Sequence, residues 1–471
     1  MKKFFYFILL FLIFTYNISY AEELNLSGEG AILIDMDTEQ ILYSKNPHMK
    51  LHPASTTKIM TGILAIENGN MDDYVTIDDE IVKLTDGSHI ALEPGERVKF
   101  EDLVNALLIE SANDAVLALA KHVSGSINEF VKLMNKKAKE IGTLNTNFVN
   151  PNGLTAENHI TTPYDLSLIA KYAMENEIFR EIVKNYTYII PVTNKKNEER
   201  YLKSANKLLY STQKIDVDGK IVPIKYEGIT GIKTGYTIAA QNCLVASAER
   251  GNQRLIAVVL KANGREVYSD IHKLFNYGFN NYEKVHIAHK GQFIKNIEVS
   301  NGTNPVVAGI LKEDLTASIP KGNMNTIEKK IYLNDVIEAP LINGQTLGKV
   351  EYYLNDQFLG EVDIISTLNI EKIPPLTLIQ KIINKWYIIV IGILSIIQIS
   401  SFRRKRLRKK REILYTECIK PCLYRQGLMH SVFYISTYNT AITSISIFPS
   451  FGNLETSIQE RAGLCSLKYS S

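Results

Sequence analysis

Ser55 and Lys58 are three positions apart, a spacing that allows one side chain to act on the other. Their surroundings favour a helix, because Pro53 suits a first helical turn and Gly69 suits a stop after an apolar stretch. Residues three apart share a helix face, so the lysine amine can reach the serine hydroxyl. A serine needs a neighbouring base at neutral pH, and a lysine is that base only when its pKa is lowered. The spacing therefore predicts a serine nucleophile with Lys58 as its general base.

This spacing has an ordinary alternative when it is taken alone. The same Ser-x-x-Lys spacing recurs at Ser204 and Ser211, and each instance could be a polar position on a helix surface. The assignment of Ser55 therefore depends on two further motifs downstream.

A second motif, Ser111 and Asn113, interrupts an apolar helical pattern over residues 101–123. Ser, Asn and Asp side chains compete for backbone hydrogen bonds, so this cluster predicts a turn between two helices. Such a turn would hold two polar side chains at a fixed point on a rigid support. Only Ser111 lies between two apolar helical segments. The same Ser-x-Asn spacing without that context occurs at Ser44, Ser126 and Ser204.

The third motif is Lys233, Thr234 and Gly235, within a strand-like segment at residues 229–237. A lysine and a hydroxyl at a strand edge can bind the carboxylate of an extended substrate, and glycine leaves room for a close backbone approach. A turn is the alternative interpretation of Lys-Thr-Gly by itself. Unlike the other two motifs, this one occurs once in the chain.

Together and in this order, the three motifs resemble those of the serine penicillin-recognising enzymes. The sequence around them is similar to that of the low-molecular-mass D-alanyl-D-alanine carboxypeptidases, peptidase family S11. The resemblance covers residues 24–280 and continues through the β-rich region and membrane anchor that such enzymes carry. One departure is Ser204-Ala205-Asn206, where the family usually has Asn-Thr-Asn. The similar segments are PASTTKIMT at 53–61, LLIESANDA at 107–115, FVNPNGL at 148–154 and GIKTGYT at 231–237.

The resemblance implies a reaction on peptidoglycan stem peptides that end in D-Ala-D-Ala. Ser55 would attack the carbonyl between the two D-alanines and form an acyl-enzyme, with Lys58 as general base. Two lysines in one pocket would lower each other's pKa, which suits this role. β-Lactam antibiotics would be covalent inhibitors, and neither a metal nor a cofactor is implied. The other implied roles are proton transfer and amide binding by Ser111 and Asn113, and an oxyanion hole from the backbone N–H groups of Ser55 and Tyr236. Lys233 and Thr234 would bind the terminal carboxylate, and Gly235 would complete the substrate-binding segment.

Three alternatives stay open at this point. A serine β-lactamase shares the motifs, but its deacylating glutamate commonly lies in a Glu-x-x-Leu-Asn segment, which is absent between Gly125 and Glu227. A DD-endopeptidase that cuts peptidoglycan crosslinks is hardly separable from a carboxypeptidase by sequence. A non-catalytic cell-wall-binding module would not require an activated nucleophile, so the intact motifs argue against it.

The order of elements predicts an α/β fold of the α+β type, in which helices flank an antiparallel sheet. Hairpins before and after a block of helices would bring the two ends of the domain together in that sheet. The resemblance implies a serine β-lactamase/DD-peptidase-like catalytic domain at residues 22–280. The predicted elements are strands at 31–35, 40–44, 229–237, 242–248 and 254–261 and helices at 164–175 and 266–275.

The N-terminus and the composition indicate an exported protein. Residues 1–21 have the two lysines, apolar run and small-residue cleavage site of a signal peptide. Cys243 is the only cysteine between that site and residue 417, which predicts no internal disulfide and a small buried side chain. The net charge of +3 falls to −5 when the eight basic residues of 403–411 are left out. Nothing outside that run suggests a nucleic-acid partner.

The last third of the chain predicts a small all-β domain and then a membrane anchor. Alternating segments at 330–336 and 349–354 place the all-β domain at 283–370. Residues 376–402 predict a membrane helix, with a helix lying in the membrane plane as the alternative. The basic run that opens the unassigned tail, 403–471, places the tail in the cytoplasm and the catalytic domain on the other side of the cell membrane.

Overall fold

The computed structural model describes residues 24–414 and 416–417. The predicted signal peptide (1–21) and the last part of the predicted tail (418–471) lie outside the described residues. The chain divides into two compact units, residues 1–372 and 373–471.

A five-stranded antiparallel sheet lies at the centre of the first part of the chain, with the strand order β2-β1-β11-β10-β9. Strand β1 from the start of this region pairs with β11 near its end, so the two predicted hairpins meet in one sheet. Three short two-stranded ribbons, β3-β4, β5-β6 and β7-β8, accompany the sheet. The strands, numbered in chain order, are β1 (Gly30–Asp35), β2 (Ile41–Lys45), β3 (Tyr74–Thr76), β4 (Arg97–Lys99), β5 (Thr187–Ile190), β6 (Arg200–Lys203), β7 (Lys214–Val217), β8 (Lys220–Pro223), β9 (Ile229–Thr237), β10 (Gln241–Arg250) and β11 (Gln253–Ala262).

Helices cover both faces of this sheet, as the packing of β1 demonstrates. Successive strand residues point to opposite faces. Ile32 and Ile34 accordingly pack in the larger core, whereas Ala31 and Leu33 pack in a smaller one. Helix α8 (Glu266–Asn281) contributes to that smaller core, and the fold class predicted from the sequence is confirmed. The helices are α1 (Lys58–Asn68), α2 (Asp79–Leu84), α3 (Phe100–Asn105), α4 (Asn113–Ser124), α5 (Ile127–Ile141), α6 (Pro163–Glu175), α7 (Glu177–Lys184) and α8 (Glu266–Asn281).

The predicted turn within the apolar helical pattern is confirmed, but two other helix predictions were incomplete. Between α3 and α4 the chain forms a π-helical turn, Ala106–Glu110, and then leaves the helix at Ser111. The prediction that the last helix ends at residue 275 was wrong, because buried Phe279 extends the apolar face by another turn. Helices α5 and α7 were not assigned, although α5 carries a buried stripe at Phe130, Met134 and Ala138.

Residues 282–372 contain an all-β region with its own apolar core, as predicted. The prediction of a strand at residues 330–336 was wrong by three positions at each end. The strand runs from Ile327 to Leu333, the chain then bends at Asp335, and Val336 is exposed. The buried Asp35 carboxylate of β1 accepts a hydrogen bond of 2.6 Å from Ser318 Oγ and thereby joins the two regions. The strands are β12 (Tyr282–Ala288), β13 (Phe293–Glu298), β14 (Val306–Leu311), β15 (Leu315–Pro320), β16 (Ile327–Leu333), β17 (Thr346–Leu354) and β18 (Gln357–Ser366).

In the described part of the second unit, residues 373–414 and 416–417, the chain forms the helices α9 (Leu378–Asn384) and α10 (Trp386–Leu414). Helix α10 is long and apolar enough to cross a membrane, by its length and composition. It carries the predicted apolar segment and the basic run in one continuous helix of 29 residues. The anchor predicted at 376–402 therefore divides at Lys385 into a short helix and a long one.

Candidate active site

Ser55 lies in a single 3-10 turn, Ala54–Thr57, that leads directly into α1. The first nine residues of α1 are all buried, so the turn is held at the end of a helix inside the domain core. Ala54 has a φ of 48°, a left-handed conformation that costs a residue with a side chain on the order of 1–3 kcal/mol. The turn thus presents the partly exposed Ser55 hydroxyl at the positive end of a buried helix.

Lys58 and Ser55 are in hydrogen-bond contact, as their spacing predicts. The distance between Lys58 Nζ and Ser55 Oγ is 2.9 Å, and Lys58 has no exposed surface. Lys58 Nζ also donates to the backbone carbonyl of Asn152, at 2.9 Å. Burial lowers the pKa of Lys58 well below its ordinary value, and the nearby charge of Lys233 lowers it further. A lysine in this environment loses its proton easily and can accept one from the serine.

The loop that contains Asn152 packs against the serine turn, a contact that the sequence did not predict. Gly153 has a φ of +86°, and a Cβ built there would lie 1.9 Å from the Ala54 carbonyl oxygen. Only glycine combines this backbone conformation with so close an approach. Thr61 of α1 donates a 2.6 Å hydrogen bond to the neighbouring Pro151 carbonyl. The Asn-Pro-Asn-Gly turn in the sequence was the available signal for this loop.

A buried histidine also holds the serine turn, and it too was missed. His159 Nδ1 accepts the Val149 N–H at 3.0 Å, so the neutral ring carries its proton on Nε2. That nitrogen lies 2.9 Å from the Thr57 hydroxyl, inside the Ser-x-x-Lys segment. Burial lowers the pKa of His159 to about 4, with a smaller contribution from His52. His159 is therefore a neutral support for the turn.

Ser111 and Asn113 are presented by a strained connection between the π-helical turn and α4. Ser111 has a φ of 69°, again in the left-handed region. Asn113 is anchored by its N–H, which donates to the Ser88 carbonyl at 2.7 Å, and by its Nδ2, which donates to the Asp86 carbonyl. Within the described residues, Asn113 Oδ1 is buried and has no hydrogen-bond partner. An unpaired buried amide oxygen is an acceptor that a substrate N–H can satisfy.

Strand β9 carries the third motif to the same place. Lys233 is buried, and burial lowers its pKa to about 7, against the opposing effect of the Glu110 carboxylate. A Cβ on Gly235 would lie 2.9 Å from the Ser55 backbone nitrogen. The glycine therefore allows a close approach of the chain's own serine turn, and the substrate approach at Gly235 stays a prediction. Thr234 is partly exposed and Tyr236 is exposed, at the open side of this strand.

Electrostatic and backbone contacts connect the three predicted motifs. The charge of Lys233 acts on Lys58, and the charge of Glu110, the residue before Ser111, acts on Lys233. The segment Ser204-Ala205-Asn206, where the sequence departs from the family pattern, contacts the turn that leads to Ser111. The Ala205 N–H donates a 3.1 Å hydrogen bond to the Ile109 carbonyl. At Ser204 and Ser211, which have the same Ser-x-x-Lys spacing, no hydrogen bond of the described residues joins the serine to its lysine.

Comparison with known families supports the interpretation of these motifs. A profile described as D-alanyl-D-alanine carboxypeptidase, peptidase S11, matches residues 17–264. A second profile, described as penicillin-binding protein 5, C-terminal domain, matches residues 282–372.

Two curated relatives are similar along most of their length. D-alanyl-D-alanine carboxypeptidase DacF of Bacillus subtilis is 35% identical over 77% of this chain and 91% of the relative. D-alanyl-D-alanine carboxypeptidase DacA of Haemophilus influenzae is 33% identical over 72% of this chain and 84% of the relative.

Two solved structures have a fold similar to that of this chain. Penicillin-binding protein 5 from Haemophilus influenzae superposes with a TM-score of 0.64 at 28% identity, and the match covers 75% of this chain and 100% of that chain. A mutant of the Streptomyces K15 DD-transpeptidase superposes with a TM-score of 0.50 at 30% identity, over 55% of this chain and 100% of that chain. The resemblance inferred from the motifs is thereby confirmed, and the chain belongs to the D-alanyl-D-alanine carboxypeptidases, peptidase family S11.

Proposed function

We propose that this protein is a serine-type D-Ala-D-Ala carboxypeptidase that removes the terminal D-alanine from peptidoglycan stem peptides. The observation that carries the proposal is the 2.9 Å contact between Ser55 Oγ and a buried Lys58 whose pKa is lowered. A binding protein has no need for an activated nucleophile. The curated relatives that match most of the chain are named for this activity.

Acylation begins when the peptide carbonyl between the two D-alanines lies over Ser55 Oγ. Lys58 takes the hydroxyl proton as the Oγ–carbon bond forms, and the carbonyl oxygen becomes an oxyanion. The backbone N–H groups of Ser55 and Tyr236 stabilise that oxyanion, at about 3 kcal/mol per donor. The proton then passes from Lys58 through Ser111 to the departing amine, the carbon–nitrogen bond breaks, and D-alanine leaves.

Substrate recognition falls to the groups around the nucleophile. The Lys233 ammonium and the Thr234 hydroxyl bind the terminal carboxylate, with Gly235 between them and the serine turn. Asn113 Oδ1, buried and unpaired within the described residues, accepts the substrate amide N–H. These contacts select peptides that end in a free carboxylate.

Water completes the cycle by hydrolysis of the ester on Ser55. Lys58 takes one proton from the water and the hydroxide adds to the acyl carbon. The bond between that carbon and Ser55 Oγ then breaks, and Lys58 returns the proton to Oγ. β-Lactams carry a strained amide and a carboxylate in a similar arrangement, so they acylate the same serine. Every step uses side chains and backbone groups of the chain itself.

We also propose where the enzyme works. The signal peptide exports residues 22–280 and 283–370, and α10 anchors them in the cell membrane. The eight basic residues after the apolar segment stay on the cytoplasmic side. The all-β domain then acts as a spacer between the bilayer and the catalytic domain.

The acyl-enzyme is common to several related activities, so the product identifies the enzyme. One structural neighbour is named a DD-transpeptidase, in which an amine would replace water as the acceptor. A DD-endopeptidase would cut crosslinked dimers, and a β-lactamase would release hydrolysed penicillin quickly.

The test is to incubate the full-length protein in detergent with diacetyl-Lys-D-Ala-D-Ala and to measure free D-alanine. Parallel reactions contain crosslinked dimers, an added acceptor amine or benzylpenicillin. We expect stoichiometric D-alanine and dipeptide product, together with a long-lived penicillin adduct. Release of D-alanine only with the acceptor, cleavage only of dimers, or rapid penicillin turnover would each contradict the proposal.

A further inference from the structure

The proposed recognition of the substrate depends on which way the Asn113 amide faces. Its Nδ2 donates to the Asp86 carbonyl, and its Oδ1 is buried and has no hydrogen-bond partner within the described residues. A reversed amide would place Nδ2 where Oδ1 now lies, and Nδ2 cannot accept a substrate N–H. The contact with Asp86 therefore decides whether this side chain offers the substrate an acceptor or a donor.

We propose that Asp114 is a positioning residue that fixes the Asn113 amide, because its carboxylate holds residues 86–92, the 86–92 loop, against the start of α4. This inference rests on the proposed carboxypeptidase function and deepens it. The loop supplies the Asp86 carbonyl, which accepts from Asn113 Nδ2, and the Ser88 carbonyl, which accepts the Asn113 backbone N–H at 2.7 Å. A displaced loop would leave the amide free to rotate.

The buried Asp114 carboxylate connects the 86–92 loop to α4. Its Oδ2 accepts the backbone N–H groups of Ile90 and Leu92, each at 3.1 Å. Ala91, between them, has a φ of 55°, a left-handed conformation that lets neighbouring N–H groups face one anion. Asp114 Oδ1 accepts the N–H of Ala115, in the first turn of α4, at 2.9 Å. One side chain therefore fixes the loop relative to the helix.

Arg200 of β6 binds the same part of the loop. Its Nε donates to the Ile90 carbonyl at 2.9 Å, so both backbone groups of Ile90 are bound by side chains from other elements. The guanidinium is itself held by buried Glu96 at 2.7 Å. The loop is thus fixed at Ile90, and its preceding residues present two carbonyls to Asn113.

Gly87 keeps those preceding residues close to the amide. It has a φ of +77°, and a Cβ built there would lie 3.1 Å from Asn113 Nδ2. This distance is shorter than an ordinary van der Waals contact, so an added methyl group would displace the amide or the loop. Because Gly87 is exposed, its substitution disturbs no buried carboxylate. Gly87→Ala is therefore an independent way to perturb the same contact.

The test compares two substrates with the full-length protein in detergent. Diacetyl-Lys-D-Ala-D-Ala has an amide N–H before the scissile bond, whereas diacetyl-Lys-D-lactyl-D-Ala has an ester oxygen there, and both release D-alanine. Asp114→Asn keeps the side-chain volume but replaces one acceptor oxygen with a donor. For the amide compound, kcat/KM should fall about tenfold in Asp114→Asn and in Gly87→Ala, because one hydrogen bond to Asn113 is lost. The ester compound has no such N–H, so its kcat/KM should stay close to that of the parent.

Asp270→Asn is the matched control. Asp270 of α8 is also buried, and its carboxylate accepts the backbone N–H groups of Ser27 and Gly28 at 3.0 Å and 2.9 Å. Helix α8 packs on the face of the sheet opposite α1. We expect this variant to lower the urea midpoint as Asp114→Asn does, with an unchanged ratio of kcat/KM between the amide and ester compounds.

Hydrogen exchange supplies a readout that does not depend on catalysis. The backbone N–H groups of Ile90, Leu92 and Asn113 are protected by the contacts described above. In Asp114→Asn they should exchange at least about tenfold faster, because the loop opens locally. Mass spectrometry of peptides that cover residues 86–92 and the start of α4 measures this change. In Asp270→Asn the same peptides should exchange as in the parent.

Each outcome decides the inference separately from the proposed function. Equal losses of kcat/KM with both compounds in the folded Asp114→Asn and Gly87→Ala proteins would overturn the role of Asp114, as would unchanged exchange in the 86–92 loop of Asp114→Asn. If the parent released no D-alanine from either compound while exchange in the loop still rose, the loop assignment would stand and the proposed function would fail.

Discussion

Two regions of the molecule use lysine in opposite ways. Around Ser55, Lys58 and Lys233 are buried, and burial is the main cause of the lowered pKa of each. In the all-β domain, Lys349 is partly exposed and lies 2.8 Å from the carboxylates of Glu351 and Glu361, which raise its pKa. A surface ion pair keeps a lysine charged and unreactive, whereas burial without an ion pair makes it a base.

The two regions also differ in where they bury charge. Among the described residues, every buried charged side chain lies before residue 282, and the buried hydroxyl-bearing side chains of the all-β domain are Ser318, Tyr352 and Ser366. Buried charge costs stability unless it is paired, so a fold keeps it where it has a use. The chemistry is therefore concentrated in the first region, while the second is stabilised by an ordinary apolar core.

Removal of the nucleophile should have the largest effect in this comparison. Ser55→Ala deletes the atom that attacks the carbonyl, so covalent labelling by a fluorescent penicillin and release of D-alanine should both be abolished. Ser211→Ala, at another Ser-x-x-Lys spacing, should retain the label. Normal labelling of a folded Ser55→Ala protein would show that Ser55 is not the nucleophile.

Removal of a lysine tests the contrast between the regions directly. Lys58→Met should lower kcat/KM for diacetyl-Lys-D-Ala-D-Ala by about 10²- to 10⁴-fold, the usual contribution of a general base. The matched change Lys349→Met should leave kcat/KM unaltered. Equal effects of the two substitutions would show that burial does not distinguish these lysines.

The pH dependence of kcat/KM should distinguish the two buried lysines, because Lys233 must be charged and Lys58 must be neutral. Carboxylate binding needs charged Lys233, whose pKa is about 7, so kcat/KM should fall about tenfold per pH unit above that value. Lys58 must be neutral, so kcat/KM should rise with pH through its lowered pKa. We expect a bell-shaped profile for the peptide acid and loss of the alkaline limb for the peptide amide. A profile that stays flat into the alkaline range with the acid would contradict the role of Lys233.

A structural pair should affect stability rather than chemistry. Glu96 has no exposed surface and contacts Arg200 at 2.7 Å, which ties the segment before α3 to β6. Glu96→Gln leaves that arginine without its buried partner and should lower the free energy of unfolding by about 3–5 kcal/mol. Lys312→Met, which breaks an exposed pair in the all-β domain, should have no measurable effect in the same urea titration. Equal urea midpoints for Glu96→Gln and Lys312→Met would contradict the expected difference in stability.

The sequence predicted the parts of the site that depend on short spacings. Ser55 and Lys58 are one helical turn apart, and the Ser111 cluster marks a break in a periodic pattern, so local rules suffice for both. Asn152 and His159 were not predicted, because their partners in the serine segment are nearly a hundred residues or more away in the sequence. Asn152 also uses its backbone carbonyl, which every residue has, so its residue type gives no signal.

The fold was predictable to a similar extent. Long apolar strands and the closing hairpins were identified. Helices α5 and α7 were missed because charged residues separate their apolar residues along the sequence, and only the helical period brings those apolar residues onto one buried face. The domain limits at 22–280 and 283–370, and the roles of the site residues, stay predictions. The orientation of the anchor, inferred from the basic run, also stays a prediction.

The central claim is that Lys58 is neutral when Ser55 attacks. The most direct measurement is the titration of ¹³Cε-labelled lysines in the full-length protein, with the Lys58 signal assigned by its loss in Lys58→Met. We predict that Lys58 titrates well below an ordinary lysine and far below Lys349. Titration of Lys58 together with the surface lysines would contradict the account, because a charged Lys58 could not accept the serine proton.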